Sequence, residues 1–250
     1  MTNHVNNAII MAAGFGTRMR PLSLETPKPL IEVGGQPMIE SVINALHQNG
    51  ISEIYVVVGY LKEKYDYLPH KYSDVHLIDN PYYAKANNIS SLYVAREHLN
   101  NTIILDGDQL INNPAVLQPD FERSGYNCVW TPGHTDEWLL TVSDDKEVIH
   151  CDRDGGEHGW RLYSVSRWNQ QDCQTLRHCL VSEFKKKQHT DIYWDDVAMF
   201  CCPDQFHLTV YPMQLGDVRE IDRLEDLVKL EPRYQHFLDL KKKEAHDEQA

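Results

Sequence analysis

Three groups of residues in this 250-residue chain have the types and spacing for chemistry. The first runs Ala8-Ile-Ile-Met-Ala-Ala-Gly-Phe-Gly-Thr-Arg-Met-Arg20, followed by Thr26-Pro-Lys-Pro-Leu30. An apolar run as long as Ala8–Ala13 predicts a buried strand. Gly14 and Gly16 free the backbone to turn sharply and to approach a ligand closely. In such a turn the amides of Ala13, Gly14, Phe15, Gly16 and Thr17 form a concavity for an anion. Arg18, Arg20 and Lys28 add cations, and arginine holds phosphate oxygens bidentately. The set suits a polyphosphate. It is not the dinucleotide fingerprint, whose third glycine is replaced by Met19, nor a P-loop, whose Gly-Lys-Ser/Thr is absent. Pro27 and Pro29 predict an extended, stiff backbone around Lys28.

The second group is Asp106-Gly-Asp108, at the end of the predicted strand Thr102–Leu105. A carboxylate there can hold a divalent cation against a triphosphate; the plainer alternative is a turn aspartate. The third group gathers aromatics among carboxylates: Asp136-Glu-Trp138 and Asp191-Ile-Tyr-Trp-Asp-Asp196. Tryptophan and tyrosine faces attract quaternary ammonium ions, and neighbouring carboxylates reinforce this. Trp138, Tyr193 and Trp194, with Asp191 or Asp195, therefore make a candidate pocket for a cation, the alternative being ordinary core or rim aromatics. Asn88 and Ser90 open a predicted helix, where both residue types also serve as caps. Asp222, just before the predicted helix Leu224–Leu230, taken alone reads as an N-cap. His150-Cys151 and His178-Cys179 lack partners at metal-ligand spacing, and the lysine runs 185–187 and 241–243 read as solvated helix faces.

The string from Met11 to Leu30 resembles the signature of the sugar-phosphate and related nucleotidyltransferases, which join a nucleoside triphosphate to a phosphorylated acceptor and release pyrophosphate. The resemblance implies that Arg18 contacts the triphosphate, that Lys28 faces the acceptor phosphate, and that Asp108 and Asp222 are the two metal ligands, for Mg²⁺. It also makes the Asn88–Ser90 segment part of the nucleotide site. The glutamine and glycine with which sugar-nucleotide members read the base are missing here, so base choice stays open on that evidence. Glu137-Trp138-Leu139, Asp144-Asp145, Tyr193-Trp194-Asp195 and Glu220-Ile-Asp222 are similar, motif by motif, to the bacterial CTP:phosphocholine cytidylyltransferases. That closer likeness implies cytosine and a phosphocholine acceptor. Phosphoethanolamine or 2-aminoethylphosphonate remain alternatives, because a primary ammonium favours carboxylates. A non-catalytic nucleotide-binding module is a further alternative, although it should have lost at least one of Arg18, Lys28, Asp108 and Asp222.

Positioning these groups requires an α/β fold. Strand signals at Ala8–Ala13, Ile54–Val58, Val75–Ile78 and Thr102–Leu105 alternate with helical spacing over Met38–Gln48, Lys62–Leu68 and Ile89–Leu99. Such alternation predicts a Rossmann-like, mostly parallel sheet flanked by helices, with ligands at the strands' carboxyl ends. The second half changes character. Cys128–Thr131, Trp138–Val142, Val148–His150, Arg161–Ser166 and Leu208–Pro212 predict an added antiparallel, acceptor-binding part, with helices over Asp172–Lys186 and Leu224–Leu230. One domain over 1–240 is expected, divided near residue 125 into nucleotide and acceptor halves, before a frayed charged tail at 241–250. The net charge of −13 repels nucleic acid as a whole. The polar start, the lack of a membrane-length apolar run and six scattered cysteines predict a cytoplasmic protein with reduced thiols. The expected partners are small molecules, CTP and a cationic phosphorylated head group. Oligomeric state is not legible.

Overall fold

The computed structural model describes residues 2–247. Its centre is four parallel strands: β1 (Asn7–Ala12), β2 (Ile54–Val58), β3 (Val75–Asp79) and β4 (Thr102–Asp106). β1 is buried at every residue, as expected of a central strand covered on both faces. The spatial order is β3-β2-β1-β4. Strand order therefore reverses between β1 and β4, and the crevice outside their carboxyl ends is where such sheets bind ligands.

The second half extends the same sheet. Its strands are β5 (Gly125–Thr131), β6 (Leu139–Val142), β7 (Val148–Asp152), β8 (Gly159–Trp168) and β9 (Thr209–Pro212). The long β8 lies antiparallel to β4, β5 and β6, while β9 runs parallel to β5. Pairing of Val165 with Leu105 brings the antiparallel part directly beside the crevice. A separate ribbon pairs Val218–Glu220 with Gln109–Ile111, setting Glu220 opposite Gln109.

Helix α1 (Met38–Gln48) buries Met38, Ile39, Val42, Ile43 and Leu46, the i, i+3, i+4 stripe expected of a core-facing helix. Together with α2 (Ile89–Ala95) and α3 (Gln170–Leu180) it sandwiches the sheet. Val42 and Leu46 pack with Ile10 and Val56 on one face; Leu92 and Leu176 pack with Ile9 and Val57 on the other. A smaller cluster of Met19, Met38, Ile221 and Leu224 anchors α4 (Leu224–Leu230) beneath the Arg18 turn.

Some local expectations are corrected. Lys28 is not in extended chain: Pro27 is extended, but Lys28–Leu30 forms one 3₁₀ turn. Pro29 sits inside that turn, where its missing N–H costs nothing. The helix from residue 170 is α-helical only to Leu180 and widens into π-type turns over Val181–Lys186. The tail is helical as α5 (Gln235–Asp247), rather than frayed from Lys241; residues 248–250 lie outside the described residues. All six cysteines are free thiols. Among the described residues no helix is long and apolar enough to cross a membrane.

Candidate active site

The turn after β1 is shaped by its glycines in two different ways. Gly16 is left-handed (φ +60°), and a Cβ there would press on the Lys28 side chain at 3.0 Å. Gly14 needs no special φ, and a Cβ there would meet nothing within 4 Å. Ala13, Gly14, Gly16, Lys28, Asn88 and Ser91 line one cavity of about 170 Å³ here. Thr17 and Arg18 line a second of about 210 Å³, with Gly16, Lys28, Asp108 and Asp222. Phe15 turns away and packs on Tyr60 and Tyr83, with ring centroids 5.1 and 5.4 Å apart. It lines neither of these cavities.

Asp108 and Asp222 are 114 residues apart in sequence and are brought together by the Gln109–Glu220 pairing. Gly107 makes the approach possible: its N–H donates to Met11 O, and a Cβ would meet Ile10 at 3.1 Å. Lys28 Nζ lies between the two carboxylates, 2.6 Å from Asp108 Oδ2 and 2.8 Å from Asp222 Oδ1. Arg18 reaches the same Asp222 oxygen at 3.1 Å. Burial by itself would lower the Lys28 pKa, but the charges of Asp108 and Asp222 outweigh it and hold the ammonium well above its ordinary range. Burial pushes Asp222 up, and Lys28 and Arg18 together overcome it and keep the carboxyl below its ordinary value. An ammonium already seated between two carboxylates shows that this donor set accommodates a cation. No group of three or more acidic, histidine or cysteine ligands exists among the described residues. The protein thus offers two carboxylates, a number that suits Mg²⁺ completed by phosphate and water.

Next door is a cavity of about 240 Å³ lined by Arg18, Asp108 and Asp222 together with Glu137, Trp138, Tyr193 and Asp195. Trp138 and Tyr193 meet at right angles, with centroids 5.9 Å apart. Trp138 is held by its carbonyl, which accepts from Leu162 N–H. Tyr193 is 49% exposed. Its neighbour Trp194 is the opposite case: at 1% exposure it packs against Tyr126 and Trp168 in the core. The structure therefore removes Trp194 from the pocket. Asp191 is exposed and does not line the cavity; its carbonyl accepts from the Asn87 amide. Ser90 is also removed: it is buried, bonded to Asn80 and the Asn87 carbonyl, and Ser91 faces the cleft instead. Asn88 does line both cavities, and its Oδ1 accepts from Trp194 N–H, tying α2 to the Tyr193 segment.

Residues to which the motifs gave no role complete the wall. Asp106, Leu162, Ser164 and Glu220 all face the cavity. Arg161 stands between Glu137 and Glu220, at 3.6 and 3.5 Å. Burial pushes Glu220 up to about 7, with Asp222 and Asp108 adding to it against Gln109 and Arg161. Burial likewise lifts Asp106 well above the carboxylate range, reinforced by Asp108 and Asp195. Asp195 is pushed up to about 7 by burial, opposed by the nearby Tyr126 hydroxyl. Its Oδ1 has no hydrogen-bond partner. Asp106 had a sequence signal, as the other half of Asp-Gly-Asp; Glu220 had one in its spacing to Asp222. Ser164 and Arg161 had none beyond strand alternation.

The MobA-like NTP transferase domain family matches residues 8–227. A 2-aminoethylphosphonate cytidylyltransferase from Lancefieldella rimae is 38% identical, over 93% of this chain and 94% of that one. A choline-phosphate cytidylyltransferase from Streptococcus pneumoniae is 37% identical, over 90% and 96%. The solved CTP:phosphocholine cytidylyltransferase of S. pneumoniae superposes with a TM-score of 0.85 at 36% identity, covering 92% of this chain and 98% of its own. An inositol-1-phosphate CTP transferase from T. maritima, at 15% identity and TM-score 0.74 over 96% and 98%, shares the fold. With its glycine turn, paired aspartates and reversed strand order in place, the chain belongs to the MobA-like NTP transferase family and is a nucleotidyltransferase.

Proposed function

We propose that this nucleotidyltransferase is a cytidylyltransferase that transfers CMP from CTP to phosphocholine, giving CDP-choline and pyrophosphate. The observation that carries the acceptor is the perpendicular corner of Trp138 and Tyr193, opening on the same cavity as Arg18, Asp108 and Asp222. Two aromatic faces beside carboxylates suit a trimethylammonium group, which attracts π-density and donates no N–H hydrogen bond. The similarity to the cytidylyltransferases of S. pneumoniae and L. rimae supports cytosine as the base.

The acceptor phosphate is largely dianionic near neutral pH, its second pKa being about 6. It can attack the α-phosphorus in line without a general base, so catalysis reduces to positioning and charge stabilisation. The amides of Ala13–Thr17 and the Arg18 guanidinium bind the β- and γ-phosphates. Lys28 orients the acceptor phosphate and offsets repulsion between the two anions. Asp108 and Asp222 would hold Mg²⁺, which when bound supplies charge neutralisation across the phosphates. Glu137 and Asp195 face the cationic end.

One observation favours a second reading, 2-aminoethylphosphonate. The unpartnered Oδ1 of buried Asp195 would accept a hydrogen bond from a primary ammonium, and the L. rimae relative carries that substrate in its name. Phosphoethanolamine shares this chemistry. A panel of phosphocholine, phosphoethanolamine and 2-aminoethylphosphonate with CTP and Mg²⁺, followed by pyrophosphate release, separates them. Highest kcat/KM with phosphocholine is the expected result; preference for a primary amine transfers the assignment to the second reading.

A further inference from the structure

Beside the aromatic corner stands a cation that does not line the cavity. Arg153 follows β7, and the pairing of Asp152 with Leu139 sets it next to Trp138. Its guanidinium carbon lies 4.0 Å from the Phe200 ring centroid and 5.6 Å from that of Trp138. Phe200 in turn meets Trp138 edge-on at 5.8 Å. Arg153 Nη2 is 2.5 Å from Asp196 Oδ1, a close ion pair that falls short of hydrogen-bond alignment. Asp196 is almost wholly buried, and its second oxygen accepts from Tyr193 N–H at 2.8 Å.

These contacts form one continuous strut. Trp138 and Tyr193 lie on segments 55 residues apart in sequence, and the described contacts link them through Phe200, Arg153 and Asp196. A buried carboxylate left unpaired beside the corner would be costly and would add a second counter-charge there. Guanidinium is suited to this place because its plane stacks on rings while its edge meets a carboxylate. We infer that Arg153 is a positioning residue for the cationic end of the acceptor. It fixes the right angle between Trp138 and Tyr193 and neutralises Asp196, so that recognition falls to the two ring faces. This role rests on the acceptor class proposed above.

Calorimetric titration of the purified protein with phosphocholine, 2-aminoethylphosphonate and CTP tests it, alongside melting temperature. Arg153→Met keeps the stem and removes the plane and charge. It should weaken acceptor binding about tenfold, the scale of a weakened cation–π contact, while CTP binding stays nearly unchanged. Arg153→Lys should recover only part of the loss, since it restores charge without the plane. Should Arg153→Met fail to fold, Asp196→Asn must show the same acceptor-only loss and Arg153→Lys a smaller one, and acceptor binding unchanged in both overturns the role. Unchanged acceptor binding in folded Arg153→Met overturns the role, as does a parallel loss for acceptor and CTP with a fallen melting temperature. Wild-type protein that binds none of the cationic acceptors overturns the acceptor class itself and this role with it. Wild-type binding with an indifferent Arg153→Met overturns this role alone.

Discussion

The two ends of the active-site cavity handle charge in opposite ways. At the proposed nucleotide end the central charges are paired: Lys28 bridges Asp108 and Asp222, and Arg18 joins Asp222. Lys28 and Asp222 are both held firmly ionised by this arrangement. At the proposed acceptor end Arg161 stands between Glu137 and Glu220 and Arg153 pairs with Asp196, but Asp195 has no ion-pair partner among the described residues and is lifted, like Glu220, to about 7. The first arrangement is pre-organised, with charges fixed before substrate arrives. The second is incomplete without a cation. A nucleotidyltransferase must hold a polyanion and, on this reading, an ammonium in one cleft, and the difference keeps the two from exchanging places.

Breaking the paired end should have the larger effects. Asp108→Ala removes one carboxylate of the proposed Mg²⁺ seat and should lower kcat by about 10³-fold or more. The melting temperature should hold, because the Asp108 side chain is partly exposed and lies outside the apolar core. Near-normal turnover would remove Asp108 from the chemistry. Lys28→Met should lower kcat/KM by about 10²-fold, since it leaves two carboxylates facing each other and the acceptor phosphate uncompensated. An unchanged value would make Lys28 a strut for the two aspartates and nothing more.

The same contrast explains what could be read from the residues alone. The parallel half was legible because its signals are local. Met38–Gln48 shows its apolar stripe and glycine stop, β1 its unbroken apolar run, and Asp108 its place after a strand. The acceptor half depends on which of two adjacent residues turns inward, which composition does not encode. Trp194 and Tyr193 read alike in sequence, yet Trp194 completes the core with Trp168 and Tyr193 faces the cavity. Ser90 and Ser91 both accept from the Asn80 amide, but Ser90 also donates to the Asn87 carbonyl while Ser91 lines the cleft. Glu220 stands in the Glu220-Ile-Asp222 motif, but that it faces the cavity follows only from the register of the Glu220–Gln109 ribbon, and the place of Arg161 only from that of β8. The 3₁₀ turn at Lys28 escaped because flanking prolines suit either an extended chain or the start of a turn.

Breaking the aromatic corner should have a selective, intermediate effect. Trp138→Ala should raise the acceptor KM about tenfold, the scale of a desolvated cation–π contact, and leave the CTP KM nearly unchanged. Tyr193→Ala should do the same more weakly, because its ring is half exposed. Equal effects on both substrates would mean that the corner supports the whole cleft rather than the acceptor's cation.

The smallest effect probes the uncompensated carboxylates through pH. Asp195 binds its proton more tightly in the folded chain, at about 7, than in the unfolded one, near 4. Between those values the folded state holds more protons, so stability falls as pH rises. The contribution is fully present below about pH 4 and lost by the time pH passes about 7. Asp106 and Glu220 are shifted the same way and add to the slope. Melting temperature should therefore decline from pH 5 to pH 8, on the order of a few degrees, and Asp195→Asn should make the decline shallower without abolishing it. Saturating phosphocholine should flatten the wild-type profile too, because a bound ammonium favours the ionised carboxylates and offsets the repulsion among them. A wild-type slope indifferent to both the substitution and the ligand would mean that these carboxylates are already compensated, and the contrast between the two ends of the cleft would be lost.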